Sequence, residues 1–439
     1  MSEINGQANS SELVQLKLNI ETSVTKASSG GFRRSRTSQK EHLAAKAEST
    51  PTEAEYGVPL PLVEVGVSRL DGSLELLLEE ATLNGAARSQ RYPQKRFFGY
   101  FCSYFPEELI LAAGLEPLRL LPDTGNSTPA ELPAYCCSLA RGTLDMEIRG
   151  KWQDLAGIGF THTCDTMQCL SGIWAASGHS KTVDIVPPVM LNSSGASRYY
   201  LAEMHTLMET LMTLTQQDIK EEALLDALKL CAHTRKLVTE LDALRPDLPS
   251  PLVSALIRAG QVMPRSDYAQ ALEKCLPTLK EMAAPPHRRV KVLVSGAVVE
   301  NDSLFAMIED LGGRVVADDT CTGYRHYSGH TVIGAENPLS DIVQRYSEMP
   351  PCPCKNRSLN ERMSYLTDLA QQRQAECAII VIRKYCDPHA WDAVALSESF
   401  RNSGIRTLTL ELEGADVGGQ ERTRLQAFLE SLIEEDSGL

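Results

Sequence analysis

The sequence predicts an α/β protein made of two doubly wound, Rossmann-like parallel-sheet domains that face a cleft, joined by a helical segment. Three observations carry this expectation. In two separate regions short apolar runs alternate with amphipathic stretches, the pattern of parallel strands with crossover helices. Between those regions the apolar residues recur only with the 3.6-residue period of a helix. Finally, each region ends an apolar run in the same pair, Cys164-Asp165 in "GIGFTHTCDTMQCL" and Cys386-Asp387 in "CAIIVIRKYCDPHAWD", with a helix-like segment after it.

Residues 1–55, which include "KASSGGFRRSRTSQKEH", are polar, serine-rich and locally basic. They read as a flexible tail around one short amphipathic piece, "SSELVQLKLNIE". The first α/β domain, 56–190, opens with the helical pattern "SRLDGSLELLLEEATLNGAA". A helix should then run from near Pro106 to Gly114, and strands are expected at "PLRLL", "LAGIGFTH" and "TVDIVPP". Residues 191–288 form the helical segment, through "RYYLAEMHTLMETLMTLT", "KEEALLDALKLCAHTRKLVTELDALR" and "SDYAQALEKCLPTLKEMAA". The second α/β domain, 289–439, reads as strand "RVKVLVSGAVV", helix "DSLFAMIEDLGG", strand "RVVADDTC", helix "ERMSYLTDLAQQRQ", strand "CAIIVIRKYC", helix "WDAVALSESFRNSG" and strand "IRTLTLELEG".

The chain has 439 residues, 43% of them hydrophobic, enough for two or three compact cores. A formal net charge of −14 argues against a phosphate-tracking surface for nucleic acid. No apolar run approaches the ~18 residues of a membrane span, and the N-terminus lacks a basic segment followed by an apolar one. A cytoplasmic location is therefore expected. Twelve cysteines are too few for a disulfide scaffold of this length and fit a reducing compartment, where thiols serve as ligands or catalysts.

In doubly wound sheets ligands sit beyond the carboxyl ends of the strands. Cys164, Cys321 and Cys386 all end predicted strands, so three thiols stand at that edge. Singly, each could be a small buried residue filling a strand end. The repeated Cys-Asp pair, with "YCCS" at 135–138 and "PCPC" at 351–354, favours a site. Structural zinc prefers C-x-x-C pairs, and the sequence has none. Single thiolates from separate loops suit an iron–sulfur cluster in a cleft, and a three-thiolate site would leave one iron open to substrate. The alternative is a thiol nucleophile with His162 or His389 as its base. Cys231 and Cys275 lie on apolar helix faces and read as packing. "SGHSKT" at 177–182 lacks phosphate-loop spacing, and no G-x-G-x-x-G follows a strand, so nucleotide use falls to a partner.

Six blocks, "FFGYFCSYFPEELILAAGLEPLRLL", "YCCSLARGTLD", "GIGFTHTCDTMQ", "VVADDTCTGYR", "KYCDPHAWD" and "GGQERTRLQAFLESL", resemble in order those of the 2-hydroxyacyl-CoA dehydratase D-component family, which includes the C-type subunits of benzoyl-CoA reductase. The resemblance runs from about residue 92 to 435. It implies a [4Fe-4S] cluster held by Cys137, Cys164 and Cys386, with Cys136 the alternative at the first position. It further implies an oxygen-sensitive lyase of anaerobic metabolism that receives an electron from a separate ATP-hydrolysing activator. The thioester carbonyl of a 2-hydroxyacyl-CoA would be reduced to a ketyl radical anion, the 2-hydroxyl expelled, a β-proton lost and the electron returned, giving an enoyl-CoA. A homologous second subunit, in a heterodimer or homodimer, is the further partner implied. Relatives with the same cluster carry out acyl-CoA reduction, so a reductase subunit or a non-catalytic electron relay stays open. So does a double-cubane cluster, which needs six cysteines: Cys102, Cys321, Cys352 and Cys354 supply extra thiols, but the "TCDGKKK"-like sequence of that branch is absent. Glu107 and Glu108 are candidates for catalytic roles, or simply acids in a first helical turn. Tyr324, Arg325 and His326 are candidates for binding substrate or CoA, or a surface loop. The acyl group, and dehydration against reduction, stay open.

Overall fold

The computed structural model describes residues 72–437 apart from 84, 124–127, 178–179, 287–288, 332, 335–336 and 356–357. The predicted tail, and the start of the helix expected from Ser68, lie outside the described residues. After helices α1 (Gly72–Glu80) and α2 (Gly85–Arg91), the first sheet is laid down by β1 (Phe97–Tyr100), β2 (Glu116–Arg119), β3 (Ile158–Thr161) and β4 (Thr182–Ile185). Its connections contain α3 (Glu107–Ala112), α4 (Ser138–Ile148) and α5 (Asp165–Ser177). All strand pairs are parallel, in the order β2-β1-β3-β4.

Four helices follow: α6 (Ala196–Thr215), α7 (Glu221–Ala243), α8 (Ser250–Val262) and α9 (Arg265–Met282). The second sheet consists of β5 (Val290–Gly296), β6 (Gly313–Thr320), β7 (Cys377–Arg383) and β8 (Arg406–Leu412), again parallel, in the order β6-β5-β7-β8. Around it lie α10 (Ser303–Asp310), α12 (Leu359–Gln372), α13 (Asp387–Asn402) and α14 (Gly419–Ser437), whereas α11 (Pro338–Ser347) packs on α6 and α7 in the core of the first lobe. The two sheets thus repeat one topology. In both the chain reverses direction across the sheet beside the first strand, between β1 and β3 and between β5 and β7, where such folds open a crevice.

Two-sided burial explains which elements the sequence displays and which it hides. In β1, Phe97, Phe98 and Tyr100 are all buried, so the strand has no alternation, and it is not among the predicted strands. Helix α8 keeps a one-faced apolar period at Leu252, Val253, Leu256 and Ile257 but is not among the predicted helices, and the fold buries it on nearly every side from Val253 to Val262, its polar Ser254, Arg258 and Gln261 included. Helix α1 puts Leu74 and Leu77 into one core with Val253, Leu256, Leu272 and Leu276 of α8 and α9. Helices α6 and α7 pack Tyr200, Leu207, Leu211 and Leu228 with Phe98, Phe105 and Ile110 of the first lobe. The helix predicted to end at Gly114 does so: Pro106 caps α3 and Gly114 takes φ 73° just past its end. Gly296 closes β5 at φ 144°, where a Cβ would stand 2.0 Å from the Val381 carbonyl oxygen of β7. Only glycine lets those two strand ends approach so closely. Among the described residues no helix is long and apolar enough to cross a membrane.

Candidate functional site

Cys137 is the N-cap of α4, Cys164 precedes α5, and Cys386 is the N-cap of α13. Parallel topology sends all three to the carboxyl edges of the sheets, and they line one cavity of about 550 Å³ together with Cys354. Asp165, Asp387 and Asp392 share its wall, and Val189, Leu359 and Trp391 form an apolar, exposed rim. Tyr385, also in the lining, stands at φ 66° directly before Cys386. A left-handed non-glycine residue costs on the order of 1 kcal/mol and is concentrated at functional loops. Cys136 is half-buried and is not among the lining residues; the structure brings Cys137, not its neighbour, to the cavity.

All twelve cysteines are free thiols. Burial raises the pKa of Cys137, against a backbone N–H from Ala140. Burial likewise raises Cys164, against backbone N–H groups of Met167 and Thr166. Cys386 is pushed up by burial and then by the nearness of Cys137, with Cys164 and Cys321 adding to the effect. These mutual influences are those of thiols that converge. Thiolates here need a positive partner, and the neighbouring Arg383 is itself brought down to about 10 by burial. Among the described residues no three His, Cys, Asp or Glu side chains close on a single metal-ion position. The donor set therefore does not fit one zinc ion. A cluster is different, because its thiolates sit on separate irons and stand farther apart than ligands of one ion. Three soft donors on one cavity wall fit such a group.

Cys321, Cys352 and Cys102 form a second set behind the first. Arg325 Nη2 donates to Cys321 Sγ at 2.9 Å, and His389 bridges the two sets, with Nε2 4.0 Å from Cys321 Sγ and Nδ1 3.2 Å from Cys386 Sγ. Cys352 accepts the backbone N–H of Lys355 at 3.3 Å. A hydrogen bond from Cys354, opposed by burial and helped by Arg325 and Arg362, draws Cys352 down to about 6. Burial raises Cys102 to about 11, with Cys352 and Cys321 among the groups acting on it. Cys231 and Cys275 are buried in α7 and α9, away from the cavity wall.

A thiol nucleophile finds little support in this geometry. His162 is turned to Asp184, 3.0 Å away, whose carboxylate Ser171 also binds. His389 does reach Cys386, but burial, with Arg325 and Arg362, brings it down to about 4, while the Cys386 thiol is pushed up. That is the opposite of an activated thiolate–imidazolium pair.

Glu107 and Glu108 do not line the thiol cavity. Both are buried at the start of α3 and face arginines: Glu107 pairs with Arg265, accepts from Tyr100 at 2.6 Å and lies 3.3 Å from His326 Nε2. Glu108 pairs with Arg235 and accepts from Tyr346 at 2.9 Å. Burial would raise the Glu107 carboxyl, but Arg265 and His326, with Tyr100, hold it well below the usual carboxylate range. The first-turn position alone accounts for neither residue. They join the first lobe to α7, α9 and the second lobe.

The surface-loop alternative for Tyr324, Arg325 and His326 is corrected by the structure. These residues form a 3-10 turn after β6 in which Arg325 and His326 are buried and Tyr324 is half-buried. Arg325 also binds Asp319 at 3.0 Å and the Gly296 carbonyl at 2.8 Å, and Tyr324 is 3.2 Å from Thr239. None of the three lines the thiol cavity. The residues that sequence reasoning missed are Arg383 and Tyr385, both beside Cys386. A basic-aromatic stretch "RKYC" between a strand and a Cys-Asp helix start was their only signal.

Residues 102–432 match the family model described as 2-hydroxyglutaryl-CoA dehydratase, D-component. Lactoyl-CoA dehydratase subunit beta of Anaerotignum propionicum is 24% identical over 75% of this chain and 90% of its own length. The C-type subunit of benzoyl-CoA reductase from Thauera aromatica is 26% identical over 79% of this chain and 92% of its own. The beta subunit of (R)-2-hydroxyglutaryl-CoA dehydratase from Acidaminococcus fermentans is 26% identical over 77% and 93%. With two parallel-sheet lobes, thiols gathered at their carboxyl edges and a match across most of its length, the chain belongs to the 2-hydroxyglutaryl-CoA dehydratase D-component family.

Proposed function

We propose that this chain is the iron–sulfur subunit of a 2-hydroxyacyl-CoA dehydratase, a lyase that removes water from a 2-hydroxyacyl-CoA to give an enoyl-CoA. The observation that carries the reading is the convergence of Cys137, Cys164 and Cys386, from three segments of two lobes, on one cavity. A [4Fe-4S] cluster bound there supplies one-electron transfer and an open iron. The chain's own part is to hold three thiolates in a site whose apolar rim limits water, with His389 fixing the Cys386 sulfur and Arg383, itself paired with Glu300, as a nearby cation. The paired charges of Glu107 and Glu108 keep the lobes, and so the thiols, in register.

The electron comes from an ATP-hydrolysing activator; a homologous partner completes the enzyme, and for that partner the subunit names of the relatives are the support. The alternative of an acyl-CoA reductase component is supported by similar identity to the C-type subunit of benzoyl-CoA reductase, and it would hold the same cluster. Cys354 in the cavity, with Cys352, Cys321 and Cys102 behind it, favours a double cubane as the second reading of the cofactor.

Protein reconstituted without oxygen should be brown and hold about four iron and four sulfide per chain, or about eight iron for the double cubane. With activator, ATP and the homologous partner it should dehydrate a 2-hydroxyacyl-CoA; alone it should turn over poorly. A protein that takes up only zinc, or none of these metals, overturns the reading.

A further inference from the structure

On the same edge of the sheets lies a second cavity, of about 450 Å³, where the segments after β2 and β5 meet α1 and α8. Its wall includes Arg88, Arg119 and Arg258, an unexpected concentration in a chain of net charge −14. Arg258 is neutralised by Asp302, at 2.6 and 2.5 Å. Arg88 and Arg119 are only 5% and 3% exposed, and among the described residues neither has a carboxylate within ion-pair distance. Arg88 donates to the Leu83 carbonyl at 2.8 Å, and Arg119 reaches Ser103 Oγ at 3.3 Å and stacks over the Tyr100 ring. The Nε–H of each is buried without an acceptor. Glu80, the carboxylate nearest in effect to Arg88, is already engaged by Arg91 and Tyr92. Of the acids on the cavity wall, Glu300 is taken by Arg383, and Asp123 is exposed at the mouth.

Two buried guanidinium groups without counter-ions cost several kcal/mol unless something anionic completes them. The rest of the lining says what kind of anion. Trp152, Met146 and Leu121 give a flat apolar wall, and Trp152 and Arg88 continue into an adjoining cavity of about 130 Å³ that adds Lys151. Positive groups therefore flank an aromatic surface on two sides. We propose that this cavity binds a phosphate-bearing organic anion, with its phosphates at Arg88 and Arg119 and its planar part against Trp152. Rigid, forked guanidinium donors suit phosphate oxygens, and the indole suits a base.

The site is joined to the thiol cavity through one ion pair. Glu300 lines the second cavity, and its partner Arg383 is the charge felt by Cys137 and Cys386. The nucleotide arm of a CoA thioester and a free nucleotide share the required chemistry. The first source rests on the function proposed above; the second does not.

Calorimetric titration of the iron-free full chain with CoA, ADP, adenosine and inorganic phosphate tests the site. ADP or CoA should bind, adenosine should not, and Arg88→Gln and Arg119→Gln should each weaken binding at least ~10-fold, the loss of one charge-assisted hydrogen bond. Both variants should melt no lower than wild type, since each removes an uncompensated buried charge. Should either fail to fold, dicarbonyl modification of wild type gives the same answer: ADP or CoA must protect Arg88 and Arg119 in peptide mapping. CoA binding far tighter than ADP assigns the thioester arm, and equal binding assigns a nucleotide. No binding of phosphate, ADP or CoA at millimolar concentration, or binding that both variants retain in full, overturns the proposal. Cys164→Ser should bind these anions like wild type, so loss of iron and loss of this site are read separately.

Discussion

Cys164 and Cys386 each stand where a strand beside the crevice gives way to a helix that begins with aspartate, yet their surroundings differ. Around the Cys164 sulfur the structure places backbone N–H groups of Met167 and Thr166. Cys386 has its backbone partner and also the imidazole of His389, three residues on, where the first junction has Met167. Tyr385 before Cys386 is left-handed, whereas the first junction contains no positive-φ residue. Position is thus set by topology, shared by both lobes, and the chemical character of each sulfur by local side chains, which are not shared. A thiol's company can diverge while its place in the fold is kept.

The strongest test of shared position is to remove each sulfur in turn. Cys164→Ser and Cys386→Ser should each lose most of the iron taken up in anaerobic reconstitution, because a three-thiolate site has no spare ligand. Cys231→Ser, buried in α7, should keep its iron and show only reduced stability. Retention of full iron by both junction variants would mean that the strand-end sulfurs are structural.

Both junctions face one cavity only while the lobes hold their registry, and the buried charges at α3 are part of what holds it. Arg265→Met strands the buried Glu107 carboxylate and should cost about 3–5 kcal/mol in denaturant unfolding. Arg265→Met combined with Glu107→Gln should recover much of that loss. Equal destabilisation by the single and double variants would show that the pair contributes packing alone.

The same network gives stability a pH dependence of definite sign. The folded pKa of Glu107 lies below its ordinary 4.5, so its contribution is full above that value and is lost as pH falls through the folded pKa. His326 drops from 6.5 to about 4, with burial the leading cause, so it is neutral in the fold and resists protonation. Its contribution is complete above 6.5 and declines as pH falls toward 4. Both groups act in one direction. Unfolding free energy should decrease from pH 6.5 downward, and His326→Gln should flatten the part between 6.5 and 4, measured by urea midpoints across that range.

What could be read from the sequence divides along the same line as the junctions. Position was legible: the Cys-Asp pairs and the β5 to β8 runs announce parallel strands and their edge, because strands of seven and eight residues, β5 to β7 of them buried almost throughout, are long enough to recognise. The first lobe is harder, since its strands span four residues each, and β1 is an aromatic run without alternation. The convergence of Cys354 with the junction thiols, the pairing of Glu107 with Arg265, and the burial of Arg325 were not legible. The first two depend on contacts between residues more than a hundred positions apart, Cys354 with Cys164 and Glu107 with Arg265, and the third on the packing of the turn after β6 against the end of β5. The Arg88 and Arg119 cavity belongs to the same class: neither arginine sits in a motif, and what marks them is the lack of a carboxylate partner among the described residues.

The smallest expected effect bears most directly on the difference between the junctions. If His389 Nδ1–H donates to a thiolate of Cys386, it stabilises the more negative, reduced state of a group bound there, whereas Cys164 has backbone N–H donors but no imidazole. His389→Met gives the second junction the residue of the first. With one charge-assisted hydrogen bond removed, the reduction potential should fall by about 60 mV, the one-electron equivalent of ~1.4 kcal/mol. Iron content should stay at the wild-type level, which separates tuning from ligation. His389→Asn, whose amide can still donate to the sulfur, should return most of the potential. Spectroscopic redox titration of the three proteins decides it: a potential unchanged in His389→Met, or a drop that His389→Asn fails to recover, would mean that the imidazole fills space beside Cys386 and the two junctions are electrically alike.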